Sequence, residues 1–61
     1  MTHSNIDYSG CDLRGARLAD TYIDCDFRGC DLRGARLFGV FVNCLWKGAV
    51  LTGAVLTGRF R

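Results

Sequence analysis

Proline, glutamate and long apolar runs are missing from this sequence, and histidine occurs once. His3 is that single histidine among the 61 residues, and no glutamate is available as a general acid or base. An active site needs several reactive groups brought together, and the repeat described below places the thiols inside, away from His3. We therefore expect no enzymatic activity, no catalytic residue, no cofactor and no metal.

The lack of apolar runs also bears on location. No stretch approaches the roughly 20 apolar residues that a membrane-spanning helix needs. The first residues, MTHSNIDYSG, lack the charged start and apolar core of a secretory signal peptide. We therefore expect a cytoplasmic chain with no membrane partner. A length of 61 residues predicts a single domain over 1–61.

A repeat of nineteen residues organises nearly the whole chain. The segments 6–24, 25–43 and 44–61 align with one another, and the middle one reads CDFRGCDLRGARLFGVFVN. Within each segment a shorter unit recurs: a small residue, a polar one, a large apolar one, a polar one and glycine. Self-similarity at a short fixed period is typical of a solenoid, in which each coil stacks on the one before it.

The spacing of the large apolar residues predicts a coil with four sides. These residues, called centres here, follow one another at steps of five, with one step of four in each coil. The centre and the small residue two positions before it should point inward, and the residues on either side of the centre outward. Corners are expected at glycines, which turn the chain without a Cβ: Gly10, Gly15, Gly29, Gly34, Gly48 and Gly53. The centres are Tyr8, Leu13, Leu18, Tyr22, Phe27, Leu32, Leu37, Phe41, Trp46, Leu51, Leu56 and Phe60.

The four cysteines follow the same repeat. Cys11 and Cys30 are nineteen residues apart, as are Cys25 and Cys44, and each holds the small-residue position of its unit. We interpret all four as reduced, inward-pointing residues that pack as small hydrophobes. A stacked disulfide or a metal-binding pair is the alternative.

The units CDLRG at 11–15 and 30–34, and CDFRG at 25–29, resemble the pentapeptide-repeat family. The resemblance extends over nearly all of the chain from Ile6 onward. It implies an all-β fold, a right-handed quadrilateral β-helix, here of about three coils of about 19 residues each. The sequence departs from the family pattern in two ways: its coils have nineteen residues rather than twenty, and its last coil has apolar residues where the family has Asp or Asn.

Charge varies both around and along the predicted stack. Residues 1–31 contain six acids and three bases, and residues 32–61 contain no acid and five bases, which gives −3 and +5. Aspartates nineteen apart should form outward columns, Asp7 on Asp26 and Asp12 on Asp31. Neutralisation by arginines two residues further on is one explanation of these columns. The resemblance implies another, because the family includes quinolone-resistance proteins whose acidic surface imitates DNA and engages DNA gyrase.

The last coil carries a second candidate surface. Leu45, Val50 and Val55 occupy outward positions that hold Asp or Arg in earlier coils. Clustered outward apolar residues usually mark an interface. A homodimer end, a different partner, and ordinary variation covered by the C-terminal tail all remain open. The expected interface comprises these three residues and their neighbours in the coil below: Phe38, Val40, Val42, Leu45, Val50 and Val55.

Two functions follow from these surfaces. The first is a non-enzymatic, phage-type inhibitor that binds a nucleic-acid-handling protein, such as gyrase or a CRISPR effector, through the aspartate columns as a DNA mimic. The alternative is a structural adaptor or self-assembly module that docks through its apolar C-terminal coil. Direct nucleic-acid binding through the C-terminal bases ranks third, because Phe38 is the one outward aromatic residue among them.

Overall fold

The structure is built from short parallel strands stacked in coils. The computed structural model describes all 61 residues and contains no helix, and so none that could cross a membrane. The prediction of an all-β solenoid with nineteen-residue coils is confirmed by strand pairs whose partners are nineteen residues apart. The strands are β1 (Thr2–Ser4), β2 (Arg17–Leu18), β3 (Thr21–Ile23), β4 (Arg36–Leu37), β5 (Val40–Val42), β6 (Val55–Leu56) and β7 (Arg59–Phe60).

Each coil has four sides. Sides 1 and 2 are ladders of isolated parallel bridges, and sides 3 and 4 are parallel sheets. Side 1 pairs Asp7, Asp26 and Leu45, and side 2 pairs Asp12, Asp31 and Val50. Side 3 has the strand order β2-β4-β6, and side 4 has the order β1-β3-β5-β7. Hydrogen bonds run from coil to coil along the axis, so from Asp20 onward each residue lies above its counterpart nineteen residues earlier.

Two stacks of aromatic rings fill half of the interior. On side 4, His3, Tyr22, Phe41 and Phe60 stack with centroid distances of 4.9, 5.0 and 5.1 Å. On side 1, Tyr8, Phe27 and Trp46 stack at 5.0 and 4.6 Å. The two stacks meet edge to face, which is the other favoured arrangement of aromatic rings. Leucines form the matching columns of sides 2 and 3.

The corners are of two kinds. The six glycines predicted at corners all have positive φ, between 68° and 75°, which confirms their role. The corner between sides 4 and 1 uses Asn5, Asp24 and Asn43 instead, with φ of 53–55°. Asn and Asp tolerate this left-handed conformation better than other residues. Asn43 Nδ2 also donates a hydrogen bond to Asp24 Oδ1 at 2.7 Å, which joins two coils at this corner.

The short corner between sides 3 and 4 needs glycine for a different reason. Gly39 and Gly58 do not have positive φ there. A Cβ on Gly39 would lie 1.9 Å from the Asp20 carbonyl oxygen, and one on Gly58 would lie 2.2 Å from the Gly39 carbonyl oxygen. One residue fewer brings the chain so close to the coil below that no side chain fits in the second and third coils.

The fully buried core lies in the middle coil. Its eight apolar residues fall between Tyr22 and Phe41, because only this coil is covered from both directions. The prediction that all four thiols are buried is wrong for Cys11, which is exposed, and Cys44 is half-buried. Cys11 holds the predicted position, but no complete coil covers it. All four cysteines are free, and the Cys30 thiol donates a hydrogen bond to the Tyr8 carbonyl oxygen at 2.7 Å.

Candidate protein-binding surfaces

The aspartate columns lie on two adjacent sides of the stack. Asp7 pairs with Asp26 on side 1, and Asp12 pairs with Asp31 on side 2, each across neighbouring coils. Parallel neighbours are about 4.8 Å apart, and like charges stacked at that spacing repel each other. The columns therefore need counter-charges, and the structure supplies them.

Three of the four column aspartates are paired with arginine two residues further on. Arg14 donates to both oxygens of Asp12 through Nε at 2.9 Å and Nη2 at 2.8 Å. Arg33 makes the same two-point contact with Asp31 at 2.8 and 2.7 Å. Arg28 pairs with Asp26 in this geometry as well. An extended segment places residues i and i+2 on one face, so the spacing of the repeat produces these pairs directly.

The pairing also lowers the pKa values of these carboxyl groups. The hydrogen bonds from Arg14 are the largest cause for Asp12, whose pKa falls to about 2. Those from Arg28 and Arg33 lower the pKa values of Asp26 and Asp31. Asp7 has no arginine partner. The Ser9 side chain and backbone N–H donate to it instead, and they lower its pKa. The columns are thus ionised near neutral pH but largely neutralised by their own neighbours.

Two arginines of the first two coils lack an acidic partner, and both lie on side 3. Arg17 and Arg36 are paired in register in β2 and β4, and neither makes an ion pair with an acidic side chain. The reason is local, because on this side the residues two positions further on are Ala19 and Phe38. The sequence reasoning found the charge difference along the axis and missed this one around it. The sequence does contain the signal: Arg17 and Arg36 stack nineteen residues apart, and no aspartate lies two residues from either of them on the same side.

The apolar outward residues form a ring around the C-terminal part of the stack. We call Phe38, Val40, Val42, Leu45, Val50 and Val55 the apolar rim. Leu45 lies on side 1, Val50 on side 2 and Val55 on side 3, in positions held by Asp26, Asp31 and Arg36 one coil below. Phe38, Leu45, Val50 and Val55 are 43, 49, 43 and 41% exposed, whereas Val40 and Val42, on side 4, are half-buried.

The rim surrounds an uncovered end of the interior. Trp46, Leu51, Leu56 and Phe60 are the last centres of their columns, and with Leu37 they line an apolar cavity of about 220 Å³. Leu56 is 50% exposed and Phe60 46% exposed. The sequence reasoning treated these four as core residues. Their position as the last member of each column was the signal that they also form a surface.

The opposite end is held by a small polar cluster. His3 Nε2 lies 3.0 Å from Asp20 Oδ2, and the amino group of Met1 lies 3.7 Å from Asp20 Oδ1. The hydrogen bond with His3 is the largest cause of the lowered pKa of Asp20. The His3 ring also stacks on Tyr22, so the single histidine is held by packing and by one carboxylate.

The chain is a repetitive β-solenoid, and its coils differ from one another mainly in their outward residues: the aspartate columns, the arginine column and the apolar rim. A family model for pentapeptide repeats matches residues 4–41 with 8 copies, so the chain belongs to the pentapeptide-repeat family. Neither the search of curated proteins nor the search of solved structures finds a match. The matched region ends before the last coil, where Leu45, Val50 and Val55 replace the polar residues of the repeat. A role in protein interaction fits the family in general.

Proposed function

We propose that this chain is a non-enzymatic protein-interaction module that docks its partner through the apolar rim and the uncovered end inside it. One observation carries the proposal. In the last coil, three outward positions change from charged to apolar while the inward centres remain large and apolar. The fold itself does not need this change, because the same positions hold Asp and Arg in the middle coil.

The shape of the rim favours a partner that caps the end of the stack. Its members lie on four different sides, so no flat surface laid against one side could contact more than a few of them. Leu45, Val50 and Val55 belong to the last coil, which exposes Leu56 and Phe60, and the other three rim residues lie one coil below. A partner seated on this end would cover both the rim and the cavity, which joins two apolar surfaces into one.

Charge favours a partner other than a second copy placed end to end. The last coil contains Lys47, Arg59 and Arg61 and no acid. Two C-terminal ends facing each other would bring six cations together, which opposes the association. A partner with acidic groups around an apolar centre would instead complement this end.

Stacking the N-terminal end of a second copy on the C-terminal end is blocked by geometry. In a continuous stack, Tyr8 of the second copy would lie nineteen residues beyond Trp46. His3 lies five residues before Tyr8. In the continuous stack, His3 of the second copy would therefore take the place of Phe60, which also lies five residues before the position of that Tyr8. β1 of the second copy would therefore need the place that β7 already occupies on side 4.

Inhibition of a nucleic-acid-handling protein, such as gyrase or a CRISPR effector, is the second candidate function. Its support is the stacking of Asp7 with Asp26 and of Asp12 with Asp31 on neighbouring sides. The arginine pairs weaken it, because a phosphate mimic must present a net negative surface. A partner that bound there would first have to displace these arginines.

One capture experiment separates the two functions. The tagged chain is incubated with lysate of its source cells beside two variants. Leu45→Asp/Val50→Asp gives the last coil the aspartates that the middle coil has at the same positions. The substitution at Leu45 places a carboxylate two residues before Lys47, just as Asp26 lies two residues before Arg28. Asp7→Asn/Asp12→Asn/Asp26→Asn/Asp31→Asn removes the acidic columns. Circular dichroism checks that both variants keep the fold, and light scattering gives the mass of each.

We expect the captured protein to be kept by the Asn variant and lost by the Leu45→Asp/Val50→Asp variant. The opposite result, loss only in the Asn variant, would refute docking through the rim and establish the acidic columns. If light scattering shows a dimer that the rim substitutions convert to a monomer, the partner is a second copy and the charge argument is wrong.

A further inference from the structure

Side 3 carries two stacked arginines and no acid. Side 4 also carries two cations, Arg59 and Arg61, but both belong to the last coil, so they do not stack on each other across coils. Its outward positions before the centres hold Arg17, Arg36 and Val55, paired in register through β2, β4 and β6. Side 1 contains two aspartates, Arg28 and Lys47, and side 2 contains two aspartates and two arginines. Both of these sides therefore sum to zero charge, whereas side 3 carries two cations and no acid.

The contrast among the arginines of the first two coils is sharp. Arg14, Arg28 and Arg33 each have both ends of an aspartate carboxylate within hydrogen-bond distance. Arg17 and Arg36 are exposed, lie on adjacent strands and have no such partner. A guanidinium presents a planar fork of donors that matches a carboxylate, so two such forks are available here.

The apolar residues beside these arginines restrict what could bind. Val55, a member of the apolar rim, continues the arginine column, and Phe38, another member, lies two residues after Arg36 on the same side. Both are exposed. A ligand that ran along side 3 parallel to the axis would meet two cations and then an apolar patch. A protein segment with neighbouring acidic residues followed by an apolar residue has this order of groups.

We propose that Arg17 and Arg36 bind the carboxylates of an acidic segment of the partner protein, and that its next apolar residue packs on Val55 and Phe38. This proposal rests on the proposed function and names the chemistry of the partner. The two parallel arginines repel each other in the free protein, and the bound carboxylates remove that repulsion. The positive C-terminal coil adds to the attraction.

The test uses a blocked peptide with two neighbouring glutamates followed by a leucine as the probe, titrated at low ionic strength. Binding is followed through the NMR signals of the arginine Nε–H groups. The Arg17→Ala/Arg36→Ala variant should bind at least about tenfold more weakly. Lys47→Ala/Arg59→Ala is the matched control, because it removes the same number of charges from sides 1 and 4, and it should retain binding to within about threefold.

Three outcomes would overturn the proposal. Equal losses in the two variants would mean that only net charge matters. Shifts confined to arginines other than Arg17 and Arg36 would place the peptide elsewhere. Tighter binding of oligothymidylate than of the peptide would identify a nucleic-acid surface. The Leu45→Ser/Val50→Ser variant, which keeps the net charge, should still bind the peptide. Peptide binding therefore tests side 3 separately from docking through the rim.

Discussion

Leu32→Ala is the substitution that tests the stacking most severely. Leu32 is fully buried and lies between Leu13 and Leu51 in the column of side 2. Removing a buried leucine side chain costs about 2–5 kcal/mol, and the upper half applies where neighbours cannot collapse into the space. Backbone hydrogen bonds join the coils of Leu13 and Leu51 to the middle coil, so these neighbours are held in place. We therefore expect a cost of about 3–5 kcal/mol.

That cost is large against the stability of so small a domain. At about 0.05–0.15 kcal/mol per residue, a chain of 61 residues has about 3–9 kcal/mol in total. Urea unfolding, followed by circular dichroism and by the fluorescence of Trp46, measures the difference. Leu13→Ala, in the half-covered first coil, should cost about half as much, and the exposed Arg33→Ala far less than either. Equal losses of stability for Leu32→Ala and Leu13→Ala would refute the claim that the middle coil is the most stabilising because coils cover it on both sides.

The remaining predictions concern the short corner, the acidic columns and the thiols. Gly39→Ala should lower stability strongly, because its Cβ would overlap a carbonyl oxygen of the coil below. Arg14→Ala should raise the pKa of Asp12 from about 2 toward its ordinary value, as measured by carbon NMR. The depressed pKa of Asp12 stabilises the folded state above about pH 4, and this contribution disappears as the pH falls toward 2. Arg14→Ala should therefore be less stable than the parent near neutral pH, and the difference in stability between the two should become smaller as the pH falls toward 2. A thiol reagent should label Cys11 quickly and Cys30 slowly, because Cys30 is buried and its pKa is raised by that burial.

Each of these predictions has a control in the same chain. Gly34→Ala introduces a Cβ with nothing within 4 Å and strains only a positive φ, so it should cost less than Gly39→Ala. An unchanged Asp12 pKa in the Arg14→Ala variant would mean that the ion pair does not persist in solution. Labelling of Cys30 at the rate of Cys11 would show that the middle coil opens.

The nineteen-residue period of the sequence predicts most of the fold, because this period is also the number of residues that separates paired strand positions in neighbouring coils. Once residues nineteen apart are taken as neighbours, Arg17 must lie on Arg36 and Asp7 on Asp26, and the strand pairs agree. The inward and outward positions follow from the two-residue alternation of an extended segment. The glycines with positive φ follow because glycine adopts that conformation without strain.

Other features depend on contacts that a repeat pattern does not contain. The exposure of Cys11 depends on what covers the first coil, and the pattern treats all coils alike. The need for Gly39 comes from the distance to one carbonyl oxygen, and its φ gives no sign of it. The neutralisation of Asp12 by Arg14 requires a particular side-chain geometry. The sequence offered this pair as an alternative without deciding it.

Docking through the C-terminal end can be measured most directly at Trp46. It is the single tryptophan and lines the uncovered cavity with Leu51 and Phe60, so its emission reports on whether that end is covered. The captured partner is titrated into the chain while acrylamide quenching of this fluorescence is measured. We predict a shift to shorter wavelength and loss of quenching in the parent chain, and neither change in Leu45→Asp/Val50→Asp. A partner that binds tightly while Trp46 stays equally open to acrylamide would contradict docking at this end.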